Sequence, residues 1–268
     1  MKNNNQFSAN HIKYVKRIKK ENRIVSISRF ALLFFLLGIW ELLAYTGIID
    51  SFITSSPSKI FTTIIDLFIN DNLLYHVGIT LYETILGFLI AVAFGFIIAL
   101  VMWWSSKIRR ILEPYVVVLN SLPKIALGPI IIVWCGSGSK AIIFMAVLIS
   151  IIVAVITMLN GFLETDENKI LLLQSMGASK IQILFKLVIP GSLPTLISML
   201  KISVGMAWIG SIMGEYLVSR AGLGYLIVYG GQVFKLDLVM ASTIVLCLLA
   251  TLMYASITFL EKKIIRFK

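Results

Sequence analysis

Long apolar runs alternate with short polar stretches along this 268-residue chain. A run of about twenty apolar residues, coiled as a helix, crosses the roughly 30 Å hydrocarbon core of a bilayer. Six such spans are expected, at 30–49, 84–104, 115–135, 141–159, 194–214 and 238–260. Backbone polar groups cannot stay unpaired in lipid, so these runs are helices. They are too continuous for the in–out alternation of a membrane β-barrel. The expected fold is an all-α integral membrane protein with about six transmembrane helices. A basic tail occupies 1–29 and a transmembrane domain 30–268.

The fourth and fifth spans are separated by a polar island, 164–194. A loop of about thirty residues is longer than a connector needs. After Asp166 and Glu167, the apolar Ile170, Leu171 and Leu173 share one face at helical spacing. Gly177-Ala178-Ser179 breaks the pattern, and a positive φ at the turn suits Gly177. A second amphipathic stretch follows, with Ile181, Ile183, Leu184 and Val188, closed by Pro190 and Pro194. The pattern predicts a helix–turn–helix that lies against one membrane face and presents its turn to a partner.

Two other regions break the regular pattern. Asn120, Ser121, Pro123, Lys124, Gly128 and Pro129 interrupt the third span. Such breaks survive only where protein covers the backbone or water reaches it. Between the first two spans, Ser56-Pro57 marks a helix start, and Ile60, Ile64, Leu67 and Phe68 give that helix an apolar face. It is expected at the membrane interface. The fifth span carries small residues, with Ser203, Ala207 and Ser211 in one stripe and Gly210 and Gly214 in another. Such stripes serve close helix packing or a pore-lining face at a dimer axis.

Composition agrees with a membrane protein. Hydrophobic residues make up 59%, the charged share is 14% and mean hydropathy is +0.94. The net charge of +11 sits at the ends and in loops without a nucleic-acid motif, so it points to anionic lipid rather than nucleic acid. Eighteen Lys and Arg, from Lys2 in the tail to Arg266 and Lys268, fall on the side of the termini and the long loop, against four opposite. Both termini and the long loop are therefore expected in the cytoplasm of a multi-pass cell-membrane protein. The first apolar run begins too late for a cleaved signal peptide. Cys135 and Cys247 are expected as buried small hydrophobes rather than a disulfide. Gly136-Ser137-Gly138-Ser139-Lys140 lacks the spacing of a phosphate loop and reads as a tight turn. His11 and His76 are isolated, so neither catalysis nor a metal site is expected, and ATP with Mg belongs on a partner.

Gly177-Ala178-Ser179, Val188-Ile189-Pro190 and Leu193-Pro194 resemble the coupling loop of permease subunits of binding-protein-dependent ABC importers. Leu122-Pro123-Lys124, Gly128-Pro129, Trp134 to Gly136, Gly214-Glu215 and Gly222-Leu223-Gly224-Tyr225-Leu226-Ile227 resemble the nitrate/sulfonate/taurine-type members. The resemblance implies ABC ATPase subunits, an extracytoplasmic substrate-binding protein and a second permease subunit, expected as a homodimer, in membrane lipid. It implies ATPase coupling through Leu171, Gln174, Ser175, Gly177, Ala178, Ser179 and Lys180. The family's Glu-Ala-Ala triplet falls on Leu171-Leu172-Leu173 here, which removes an acidic contact. Members often carry Arg where this chain has Glu83, and an acid there argues against assuming an anionic solute.

Ionisable residues inside apolar spans are costly and face a cavity or a partner. Lys124 is a pathway or gate residue, or it bonds the broken backbone of its own span. Lys201 reads as half of an ion pair, and Glu41 as structural beside Trp40. Glu215 shapes the gate beside the Gly222-Leu223-Gly224 turn, or ends its helix in solvent. Candidate pathway residues are Lys124, Ser203, Ala207, Ser211 and Glu215. The alternative is an ion-gradient transporter, which predicts midplane carboxylates and internal repeats.

Overall fold

The computed structural model describes residues 9–265. Lys2, Arg266 and Lys268 of the charge count lie outside the described residues. The chain divides into two compact units, 1–63 and 64–268. Among the described residues, all regular structure is helical.

In the first unit, α1 (Ala9–Tyr45) joins the basic segment and the first span in one unbroken helix. The described part of the expected tail is therefore helical. The apolar window of α1 has no buried residue, and Phe30, Phe34 and Phe35 are exposed. Asp50 caps α2 (Ser51–Thr54) by accepting from the Phe52 N–H at 2.9 Å. The next helix, α3 (Pro57–Ile69), starts at the proline that the sequence marks as a helix start. Glu41 accepts from the Ser58 N–H at 3.0 Å and from its hydroxyl at 2.7 Å. A carboxylate there satisfies an orphan donor at the positive end of the helix dipole, so Glu41 is structural.

The second unit is built on α4 (Leu73–Trp104), α7 (Ser139–Leu163) and α11 (Leu193–Val218), with α7 packed against both others. At 1.5 Å per residue, the 32 residues of α4 span about 48 Å, more than the hydrocarbon thickness. The helix begins eleven residues before the expected boundary because its polar Thr80, Glu83 and Thr84 are buried inside the unit. Contacts with α7 are close. A Cβ at Gly95 would lie 2.6 Å from the Ala154 Cβ, and one at Gly210 would lie 2.5 Å from the Ala146 Cα.

That closeness decides the small-residue stripe. Ser203, Ala207 and Ser211 are fully buried within the unit, and Ser211 shares a 2.6 Å hydrogen bond with Thr84. The expectation that these residues line an open pathway is corrected: their small size serves helix packing. The open side of α11 carries Ile202, Gly205 and Ile209 instead.

The third span is not one helix. α5 (Ser106–Ser121) and α6 (Gly128–Cys135), the latter entered through a 3-10 turn at 124–127, meet at a bend of 87°. Pro123 offers no N–H and pushes Leu122 into an extended conformation, which ends α5. Lys124 Nζ donates to the Asn120 carbonyl at 3.2 Å, an acceptor that the break leaves free. Of the two readings of Lys124, the structure has the bond to its own broken span. Counting the bent pair as one, up to six helices are long and apolar enough to cross a membrane.

Beyond the loop after α7 come α12 (Leu223–Gln232) and α13 (Leu236–Ile265). α12 falls outside the six expected spans. Lys201 pairs with Glu261 of α13 at 2.6 Å, as the ion-pair reading expects. Both cysteines are free, Cys135 half-buried and Cys247 exposed, so Cys247 is not the buried hydrophobe expected.

Candidate functional sites at the two ends of the second unit

The loop between α7 and α11 forms one site. Asp166 caps α8 (Glu167–Ser175) through the Asn168 N–H at 2.9 Å. At the far end of α8, the Ala178 N–H donates to the Leu173 carbonyl and the Gly177 N–H to the Gln174 carbonyl, both at 2.9 Å. These two bonds make a Schellman turn, which places Gly177 at φ +80° as expected. Ser179 immediately caps α9 (Lys180–Ile183). Its hydroxyl accepts from the Gln182 N–H, and the Gln182 side chain accepts from the Ser179 N–H at 2.8 Å. This reciprocal box leaves only four residues between the two helices.

A five-residue π-helical stretch, 184–188, and the short α10 (Ile189–Gly191) complete the loop. A π turn before Pro190 fits a residue with no N–H to give to the helix ladder. Ile183, Leu184 and Val188 are buried with Met102, Met158, Phe162 and Met199, and Ile170, Leu173 and Ala178 pack beside them. This cluster fastens the loop to the ends of α4, α7 and α11. Lys180 adds a tie of its own. Its ammonium donates to the Trp104 carbonyl and lies 5.0 Å from the Trp104 ring centre.

The outward side of the loop is apolar. Leu171 is 63% exposed, Leu172 60%, Met176 74% and Phe185 64%. Leu171 therefore lies off the buried face on which the spacing placed it, which Ile170 and Leu173 occupy. Four large apolar side chains thus stand in the open around a rigid turn.

The opposite end of the unit is organised around the start of α12. Three successive backbone donors find side chains from two other helices. The Gly222 N–H donates to His76 Nδ1 at 3.0 Å, the Leu223 N–H to Thr80 Oγ1 at 2.8 Å, and the Gly224 N–H to Glu215 Oε2 at 2.6 Å. Gly222 has φ +115°, and a Cβ there would meet Glu215 Oε2 at 2.3 Å. Glu215 is 1% exposed, so it is neither a solvated helix end nor open to a pathway. Its role here is the cap of α12. His76 also stacks on Tyr225, with ring centres 6.2 Å apart. His76 and Thr80 gave no sign of this role in the sequence, because nothing near them in the chain connects them with Gly222.

Beside this cap lies a cavity of about 380 Å³, lined in part by Tyr75, Glu83, Ser137, Ser139 and Arg220. Gly136 and Gly138, at φ +78° and +121°, make the tight turn expected between spans, and that turn forms one wall. Among the described residues, no group of three or more His, Cys, Asp or Glu is placed to hold a metal ion.

Residues 91–266 match the family model described as binding-protein-dependent transport system inner membrane component. A probable ABC transporter permease protein of Haemophilus influenzae is 32% identical over 86% of this chain and 93% of its own length. The formylaminopyrimidine transport permease protein ThiX of Halalkalibacterium halodurans is 32% identical over 85% of this chain and 92% of its own. Among solved structures, an inward-facing MetNI methionine ABC transporter chain superposes with a TM-score of 0.65 at 20% identity, covering 72% of this chain and 95% of that one. At that identity the likeness speaks to the fold.

Proposed function

Because the chain belongs to the binding-protein-dependent transport system inner membrane components, we propose a division of labour between its two ends. It is a multi-pass membrane protein, the membrane-spanning permease subunit of an ABC importer. None of the relatives or structural neighbours supports an ion-gradient transporter. On our reading, two copies line one pathway, with the open face of α11 at Ile202, Gly205 and Ile209 turned toward it. Two separate ATPase subunits bind ATP and Mg and dock on the α8–α9 loop in the cytoplasm. An extracytoplasmic binding protein delivers a small solute of the sulfonate, nitrate, taurine or vitamin-precursor class to the opposite end.

The observation that carries this reading is the apolar rim of the loop. Leu171 and Leu172 stand where the family resemblance leads one to expect acid and alanine, and both are exposed. Docking here rests on apolar burial rather than on an acidic contact. The Schellman turn and the capping box hold the rim rigid, so a push from a closing ATPase pair travels into the cluster that joins α4, α7 and α11. The helices then move between two packed arrangements that ATP biases.

The experiment is co-purification and transport. Wild-type chain co-expressed with its ATPase should bring the ATPase down and support ATP hydrolysis stimulated by loaded binding protein in vesicles. The purified chain alone should hydrolyse none. Leu171→Asp combined with Leu172→Asp should lose the ATPase while the chain still inserts. Retained docking in that double variant sinks the apolar-rim reading. Orientation has its own test: with Cys135 and Cys247 replaced, a cysteine at position 179 should take an impermeant thiol label only from the cytoplasm, and one at position 137 only from outside. Swapped labelling overturns the assignment of sides.

A further inference from the structure

Glu41 and Lys59 line one cavity in the first unit and do not pair with each other. The cavity, of about 290 Å³, is also lined by Tyr45, Ser51, Ser56 and Ser58. Two serines hold the charges apart. Ser58 donates to Glu41 through its N–H at 3.0 Å and its hydroxyl at 2.7 Å, and Ser51 accepts from the Lys59 ammonium at 2.9 Å. Among the described residues the ion pairs are Arg17–Glu21 and Lys201–Glu261, so neither charge here touches an opposite one. Neither is sealed in the packing: Glu41 is half-buried and Lys59 exposed. Both keep unused bonding capacity. A carboxylate has about four acceptor sites and an ammonium three donors, against two bonds on Glu41 and one on Lys59.

The surroundings indicate what reaches this cavity. α1 is an apolar helix of a multi-pass membrane protein, and its apolar window has no buried residue, which leaves it open to lipid. The cavity lies at the end of α1 away from the basic segment. There Tyr45 is 91% exposed, and Ile48, Phe52 and Ile53 of the following loop and α2 are exposed as well. An amphipathic aromatic ring at the end of a membrane helix marks the headgroup level of the bilayer. Headgroups crowd that level far more densely than any dissolved molecule. An anionic headgroup would be repelled by Glu41, and a quaternary amine has no N–H to give to a carboxylate. A phosphate diester that carries a primary ammonium satisfies both charges with charge-assisted hydrogen bonds.

We propose that this cavity binds the headgroup of a zwitterionic phospholipid with a primary amine. Its phosphate lies on the Lys59 ammonium and the Ser51 hydroxyl, and its ammonium on Glu41. The acyl chains run along the open face of α1, so the bound lipid fastens the end of α1 to the start of α3. The site needs only that α1 crosses the bilayer. It does not depend on the permease reading or on which side faces the cytoplasm.

The test uses the full chain purified in maltoside detergent, titrated by calorimetry with dihexanoyl-phosphatidylethanolamine. Dihexanoyl lipids with choline and glycerol headgroups are the references. Wild type should bind the ethanolamine lipid saturably and about tenfold or more tighter than either, the worth of one hydrogen bond to a charged group. Lys59→Gln should weaken the ethanolamine and choline lipids alike, because both carry the phosphate. Glu41→Gln keeps an acceptor for Ser58 but should bring the ethanolamine lipid down to the choline level. If Glu41→Gln melts well below wild type, Lys59→Gln decides, since the only side-chain bond it removes is an exposed one to Ser51. The proposal is overturned by no saturable binding, by equal binding of the ethanolamine and choline lipids, or by unchanged binding in Lys59→Gln. A glycerol lipid that binds as tightly makes this a plain anion site and also overturns it. Tail-free O-phosphoethanolamine separates the two sources of the headgroup. Much weaker binding than the lipid supports the proposal, and equal affinity means a site for a dissolved zwitterion and overturns it.

Discussion

The two ends of the second unit are both built around a glycine with positive φ at a helix boundary, yet they are held in opposite ways. At the loop end, Gly177 sits in a turn whose bonds come from within six residues, and a Cβ there would meet nothing within 4 Å. At the other end, Gly222 is held by His76, 146 positions away, and presses against Glu215. The first turn is locally encoded and presented outward. The second is assembled by packing and faces inward. A turn that is to dock a partner and move, as proposed for the loop, needs a rigid local shape that survives displacement, whereas the α12 cap is bonded to both α4 and α11.

The largest contrast should come from the same substitution at the two glycines. Gly222→Val adds a Cβ against Glu215 and forces a branched side chain into positive φ. Strain and overpacking together should cost about 2–5 kcal/mol, seen as a marked drop in melting temperature in detergent. Gly177→Val should cost about 1–2 kcal/mol from backbone strain alone. It should melt near wild type, yet lose ATPase pull-down and at least tenfold of vesicle uptake. If both variants melt alike, the distinction between a packed and a presented turn fails.

A finer cut concerns the caps. Thr80→Val keeps the shape but leaves the buried Leu223 N–H without its acceptor, at about 1–3 kcal/mol. Ser179→Ala removes half of the capping box and should cost about 1 kcal/mol, read as looser hydrogen exchange in α9 with the spans unchanged. Lys180→Ala should have the smallest effect on stability, about 0.5–1 kcal/mol for an exposed cation over an aromatic ring. It should still lower ATPase stimulation by binding protein, because Lys180 ties the turn to the end of α4. Full stimulation in Lys180→Ala would show that the buried cluster alone carries the coupling.

The outcome at particular residues shows where sequence reading reached and where it stopped. The hydrophobic runs located the membrane helices because transfer of apolar side chains into lipid depends on local composition. Ser56-Pro57, Gly177 and the break at Pro123 were legible for a similar reason: each acts through its own φ, its own missing side chain or its own missing N–H. Lys201 was legible as half of an ion pair, since a charge in an apolar span demands a partner, but only packing named that partner as Glu261. The small stripe on α11 was ambiguous because close packing and a lined pore ask for the same residues. The positions of α4 and α7, not α11 itself, decided for packing. α12 is not legible in the sequence because its glycines lower local helix propensity, and its start is satisfied by groups from α4 and α11. By itself, then, the order of residues determined the membrane class, the helix–turn–helix loop and its turn glycine, all of which follow from short-range sterics and hydrophobicity. Only the tertiary structure decided which charges meet. It set Glu83 against Glu215 and His76 against Gly222, because electrostatic and hydrogen-bond partners are chosen by distance in space, and distance along the chain carries almost no information about that.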